Sequence, residues 1–289
     1  MKTALVLWLA LAATARAEDD EPWRPTTSGP FVTFTAPITA KGKLLAQPIA
    51  SVGFAHAGLD ANGRAQPDSL RTSTLALFTE LGVSDDLAFG GQLSAIHNER
   101  EGAWSYGLGE LALFGRRVVH FETARLPEAT VLLQLKVPTG NAVGRPVQRG
   151  TDLRGSGSAD VTLGLDVTKG FRPVLVHADL LLTHPLPARV GTTDVAYGDS
   201  LAWALSAEWP FWAERLGVMV ELSGRHQLSP VIGGVRVLDG HADEVIAGAG
   251  IELLFDSQLQ LLVGYQRTVW GRNVSGFDTV IVTLVPMFF

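Results

Sequence analysis

Apolar and polar side chains alternate along most of this chain with a period of two. From Asp160 to Thr168, Val161, Leu163, Leu165 and Val167 share one face, while Asp160, Thr162, Gly164, Asp166 and Thr168 share the other. The next run repeats the pattern, with Val174, Val176, Ala178, Leu180 and Leu182 opposing Leu175, His177, Asp179, Leu181 and Thr183. Between 215 and 226, Leu216, Val218, Val220 and Leu222 oppose Gly217, Met219, Glu221, Ser223 and Arg225. Successive side chains of a strand point to opposite faces, so this is the pattern of β-structure. About twelve strand-like segments follow, near 44–56, 70–82, 86–97, 103–115, 127–137, 157–168, 173–184, 199–209, 215–226, 244–255, 258–269 and 277–288. Each is long enough for a tilted strand to cross a bilayer.

The connections alternate in length. Tight ones lie at 82–86, 169–172, 210–214 and 256–258, and longer polar ones at 57–69, 138–156, 185–198 and 227–243. Short turns on one rim and long loops on the other are the pattern of a bacterial barrel, and they place both termini on the short-turn side. Two connections fit less well: 116–126 is long for a turn, and 98–102 is short for an outer loop. The final stretch, Phe277–Phe289, is apolar and β-branched and ends on Phe288 and Phe289. An open edge there invites pairing with other chains, whereas pairing the last strand with the first removes the edge. In a soluble sandwich the apolar face would be the core. In a barrel in lipid it faces outward and the polar face lines the lumen. Periodicity does not separate the two, but the loop alternation, the ending and the leader favour the barrel. The expected fold is all-β, a transmembrane antiparallel β-barrel of about twelve strands.

The leader is Met1–Ala17. Lys2 supplies its positive start, Ala4 to Ala13 its apolar run, and Ala15-Arg16-Ala17 the small-x-small site, with cleavage between Ala17 and Glu18. The expected organisation is a signal peptide at 1–17, a periplasmic lead-in at 18–43 and the barrel at 44–289. The lead-in is too short to form the plug domain of an energised receptor. Loss of Lys2 and Arg16 takes the basic residues from 23 to 21 against 29 acidic ones, a net charge of −8. Nucleic acid is thereby excluded as a partner, because phosphate binding needs a basic surface. An exported chain has access to disulfides, and this one has no cysteine. A closed ladder of backbone hydrogen bonds in lipid can take their place. The expected location is the bacterial outer membrane. Its lipids, lipopolysaccharide, the barrel-assembly machinery and small solutes are the expected partners. Phe288 and Phe289 form the assembly signal. Trp209, Phe211, Trp212 and Phe255 at one set of strand ends, and Trp104, Tyr106, Tyr197 and Trp270 near the other, suit interfacial girdles.

Chemistry-bearing motifs are sparse. Pro138-Thr-Gly and Gly155-Ser-Gly-Ser lack the Gly-Lys-Ser/Thr of a phosphate loop. The 7 histidines show no metalloprotease spacing, and His177 with Asp179 reads as a hydrogen-bonding pair before a metal pair. His97, His120, His184 and His226 stand at no telling distance from a serine, so no catalytic residue, metal or cofactor is assigned. The alternation turns Glu80, Glu110, Lys136, Asp160, Asp166, His177, Asp179, Glu208, Glu221, Arg225 and Glu252 inward, with Gln92, Gln134 and Gln260. Charges cost several kcal/mol in hydrocarbon, so the lumen is their natural place. There they form either a pore lining or a network in which Lys136, Arg225 and His177 neutralise the acids.

Leu133-Gln-Leu-Lys-Val-Pro-Thr-Gly140 followed by Gly155-Ser-Gly-Ser-Ala-Asp-Val-Thr-Leu-Gly-Leu165 resembles a bacterial outer-membrane family associated with the phenol-degradation meta pathway (MetA) and described as transporters. Gly107-Leu-Gly-Glu-Leu-Ala-Leu113 is similar to its "GlGDl" strand, with Glu110 in place of Asp, and Tyr197-Gly-Asp-Ser resembles its "ygds" opening. The resemblance implies hydrophobic or aromatic solutes and assigns no residue to them. The expected function is passive passage of small solutes. The alternative is a non-conducting barrel whose outer loops bind a partner or lipopolysaccharide, with Arg145, Arg149 and Arg154 available to phosphate.

Overall fold

Twelve long strands, each paired with its neighbours in sequence, form one antiparallel sheet that closes on itself in the computed structural model, which describes residues 22–25, 29–212, 215–256 and 259–286. The leader with its Ala17/Glu18 site and the terminal Phe288 and Phe289 lie outside the described residues. The wall strands are β1 (Leu44–Leu59), β2 (Arg71–Ser84), β3 (Leu87–Arg100), β4 in two pieces (Ala103–Leu108 and Leu111–His120), β5 (Glu128–Val137), β6 (Asp160–Phe171), β7 (Val174–Pro185), β8 (Ser200–Phe211), β9 (Leu216–Gln227), β10 (Ala242–Asp256), β11 (Leu259–Arg272) and β12 (Val274–Pro286). Closure is made by β1 and β12, paired from Ile49 opposite Thr283 to Leu59 opposite Val274 with one register shift between Ala55 and Ala57. An unpaired amide in hydrocarbon costs several kcal/mol, and a closed ladder leaves none at an edge.

The faces are inverted relative to a soluble protein. On β6, Leu163 is 58% exposed on the outside while Asp166, inside, is fully buried. On β9, Val220 is 60% exposed while Glu221 is buried. The four longest connections share one rim, where 101–102 and Asn273 are the tight exceptions, and there Ala188–Val190, Thr193–Ala196, Val231–Ile232 and Val235–Arg236 build a separate four-stranded sheet; at the other rim the described connections are tight except for 121–127. Trp209, Phe211, Trp212 and Phe255 are exposed near the short-turn rim, and Trp104, Tyr106 and Trp270 near the other.

Two local expectations are corrected. The fourth strand runs to His120, not to residue 115, because Val118 and Val119 continue the extended pattern past the Arg116-Arg117 pair that resembles a turn. Tyr197 is not in a girdle: its phenol turns inward and donates to the carbonyl of Ser156 at 2.8 Å. Burial pushes that phenol's pKa up, which keeps it a donor. The loop after β5 folds back over the lumen mouth, where Asn98 Nδ2 donates to the carbonyls of Thr151 at 3.0 Å and Leu153 at 3.3 Å.

The break in β4 at Gly109-Glu110 is spliced by Thr139. Its hydroxyl donates to the carbonyl of Gly109 at 2.7 Å and accepts from the amide of Leu111 at 2.9 Å. Above the break β4 pairs only with β3, and below it also with β5.

Candidate functional site

The segment preceding β1 passes through the barrel. Its polar backbone meets wall acids in sequence as it crosses. The amide and hydroxyl of Thr39 donate to Glu80 on β2 at 2.7 and 2.8 Å. The amide of Ala36 donates to Thr168 on β6 at 2.8 Å, and its carbonyl accepts from Thr130 on β5 at 2.6 Å. The amide of Phe34 donates to Asp179 on β7 at 2.9 Å. Glu221 on β9 takes three donors through one oxygen: the amide of Val32 at 3.0 Å, and the amide and hydroxyl of Thr33 at 2.6 Å each. An extended strand with no partner strand must find such acceptors, and ionised carboxylates make the strongest ones.

Three glycines make room for this strap. A Cβ on Gly264 or Gly250 would collide with the ring of Phe31, and one on Gly82 with the carbonyls of Thr39 and Ala40. Farther toward the N-terminus, Arg24 pairs with Glu122 at 3.4 Å and with Glu128, both near the short-turn rim. The strap thus spans from β2 to β10 and β11 and returns to β5.

Arg116 anchors the centre. It is buried, donates to Glu80 at 2.9 Å, to Asp166 at 3.3 Å and to the carbonyl of Thr35, and lies 5.8 Å from the ring centroid of Phe34. Buried charges persist when they are paired and hydrogen-bonded together, as here. Sequence reasoning missed Arg116. The signal was present: it lies in phase with Glu110, Ala112 and Phe114 on the polar side of β4.

Nearby, His177 is held by Thr168 at 2.8 Å and lies 3.4 Å from Glu208. Glu208, Gln260 and Glu252 are buried at the same end of the barrel, and among the described residues neither carboxylate oxygen of Glu208 has a hydrogen-bond partner. His177 and Asp179 reach different partners, Thr168 and the amide of Phe34.

A second network occupies the long-loop rim. Lys136 pairs with Glu110 at 2.9 Å and Asp160 at 2.7 Å and donates to Ser156 at 2.7 Å. Ser156 donates to Glu110, and Ser158 donates to Asp160 at 2.7 Å. The Gly-Ser-Gly-Ser-Ala-Asp run therefore ties the mouth-closing loop to the wall. Of the loop arginines, Arg154 donates to Ser105 at 2.6 Å and Arg149 pairs with Glu101. Arg225, the other expected neutralising base, is exposed and makes no ion pair among the described residues.

Between the strap and the long-loop rim lies a cavity of about 220 Å³ lined by Ser51, Gly53, Thr72, Glu244, Ile246, Gln266, Thr268, Phe277 and Thr279. Only part of the lumen is filled.

The fold is similar to that of an outer membrane channel from Pseudomonas putida, with 14% identity and a TM-score of 0.74 over 88% of this chain and 98% of that one. It is also similar to the beta domain of the Bordetella autotransporter BrkA, with 13% identity and a TM-score of 0.51 over 86% and 100% of the two chains. The NanC porin matches with 5% identity and a TM-score of 0.50 over 83% and 100%. At such identities the likeness is one of fold. The sequence matches no protein-family model and no curated protein.

Proposed function

We propose that this chain is a passive outer-membrane barrel for small solutes, closed at rest by its own N-terminal strap. The observation that carries the reading is the strap itself. It crosses the lumen on hydrogen bonds to Glu80, Asp179 and Glu221. The long-loop rim then faces the cell exterior, with the termini in the periplasm.

Displacing the strap exposes Glu80, Asp166, Asp179, Glu208 and Glu221 along the lumen. Arg116 is their one close guanidinium among the described residues, so the passage carries excess negative charge. Rings of like charge select by sign. The family resemblance supports hydrophobic or aromatic solutes as the cargo, and the acidic wall supports cationic ones.

The test is conductance in planar bilayers for the whole chain and for a variant lacking residues 29–39. The deletion is expected to raise conductance several-fold and to give cation-selective reversal potentials across a salt gradient. Equal conductance in both proteins would return the chain to the non-conducting alternative, and anion selectivity would overturn the charge argument.

A further inference from the structure

The cavity above the strap has a definite hydrogen-bonding character. Thr268 spends its hydroxyl on Glu244, donating at 3.2 Å, and Thr72 spends its own on Asn98 at 3.0 Å. Gln266 donates its amide nitrogen to Glu221 at 3.1 Å, which leaves its carbonyl oxygen unspent. One oxygen of Glu244 and the hydroxyls of Ser51 and Thr279 are also unspent among the described residues. The remaining capacity is two full acceptors, the Glu244 oxygen and the Gln266 carbonyl, with the second Gln266 N–H and two hydroxyls that accept as readily as they donate, and it carries one negative charge. No cation lines the space. Arg225 stands opposite Glu244 in the β9–β10 register, yet it neither lines the cavity nor forms an ion pair there.

Such a lining matches a ligand with donors and positive charge. An ammonium group offers three donors and no acceptor. The apolar part of the lining is the ring of Phe277 and the side chain of Ile246. An aromatic face attracts a cation, and both side chains favour an apolar body. About 220 Å³ exceeds the needs of a bare ion and falls below the roughly 300–1,000 Å³ of pockets for drug-sized ligands.

We infer that this cavity, bounded by Glu244, Gln266, Ser51, Thr279 and Phe277, is a binding site for a small organic ammonium ion. The ammonium sits on Glu244 and Gln266 and the body against Phe277. The occupant rests on the strap's latch, since Gln266 bonds Glu221 and Glu221 holds Val32 and Thr33. The inference draws its meaning from the passage reading. Its test does not depend on that reading, because binding is measured on the closed, full-length barrel. Loss of binding overturns the site, whereas failure of the strap deletion to conduct overturns passage alone.

The experiment is calorimetric titration of the detergent-solubilised full chain with 2-phenylethylammonium, the neutral 2-phenylethanol, phenylacetate and potassium ion. The ammonium is expected to bind at least tenfold tighter than the alcohol and to exclude the carboxylate. Glu244→Gln keeps the shape and is expected to remove that preference, with folding checked by heat-modifiable migration. If Glu244→Gln does not assemble, Ser51→Ala with Thr279→Val probes the same lining and is expected to weaken the ammonium several-fold. Binding of the alcohol or carboxylate as tight as the amine, competition by potassium at equal concentration, or no binding of any probe overturns the assignment. So does ammonium binding that both sets of variants leave unchanged.

Discussion

Glu221 is the most heavily used acceptor of the strap, and its replacement by alanine is the sharpest perturbation the lumen allows. It removes the partner of the Val32 amide and of the Thr33 amide and hydroxyl in one step. Hydrogen bonds to ionised groups contribute roughly 1.5–3 kcal/mol each, so three of them set an upper range of about 4.5–9 kcal/mol. The net figure is smaller. The three bonds share one oxygen and do not add, and removing a buried carboxylate also returns its desolvation cost. About 3 kcal/mol is a conservative value, and at roughly 1.4 kcal/mol per decade it raises the open fraction of the strap on the order of 100-fold. The chain has no cysteine, so Ala36→Cys, at a fully buried position, gives a single thiol reporter. Its labelling rate by a polar maleimide in liposomes follows the open population. Glu221→Ala in that background is expected to speed labelling on the order of 100-fold, and Asp179→Asn, which holds one strap amide, by less. Labelling within threefold of the parent would refute the latch, because the strap would then be held by something other than these carboxylates.

Gly264→Ala places a methyl group where the ring of Phe31 sits, so the same thiol reporter is expected to react faster, with the barrel still heat-modifiable. Lys136→Met leaves Glu110 and Asp160 facing each other without their shared cation; breaking a fully buried pair costs about 3–5 kcal/mol, this partly exposed trio should lose less, and the unfolding temperature seen by gel shift is expected to fall by several degrees. Deleting Phe288 and Phe289 is expected to leave exported chain that does not insert, and a normal heat-modifiable band in the membrane fraction would dismiss them as an assembly signal. A cysteine in place of Arg149 is expected to label on intact cells and one in place of Asp85 is not; the reverse would mean the barrel is inserted the other way.

The wall was legible because alternation is a local property. Each of the twelve segments could be recognised from its own residues, and closure followed from having an edge to hide. The boundaries slipped where local signals conflict. Arg116-Arg117 resembles a turn, yet the strand runs through it, because one of the two side chains turns inward to Glu80 and Asp166. The strap was not legible. Its residues carry no period, being mostly Pro, Thr and Phe, and they bond through backbone amides that every sequence possesses. Only their partners are distinctive, and those lie more than a hundred residues away for Phe34 and Thr33. The Gly-Ser-Gly-Ser-Ala-Asp motif was visible as a motif, but its role depends on Lys136 and Glu110 meeting it in space.

A tube with a wall one sheet thick has little to resist flattening. Strand hydrogen bonds fix the circumference, but they leave the cross-section free to pass from circle to ellipse at small energetic cost. The strap from Thr39 on Glu80 of β2 to Phe34 on Asp179 of β7 joins walls five strands apart in a ring of twelve, nearly opposite in that section, as a spoke joins a rim. With the spoke seated, squeezing the barrel along its line means compressing packed atoms, and stretching it means breaking charged hydrogen bonds. With the spoke withdrawn, both restraints vanish together. The same movement that clears the lumen therefore softens its outline, and lateral pressure from the surrounding lipid then has a say in how wide the cleared passage becomes.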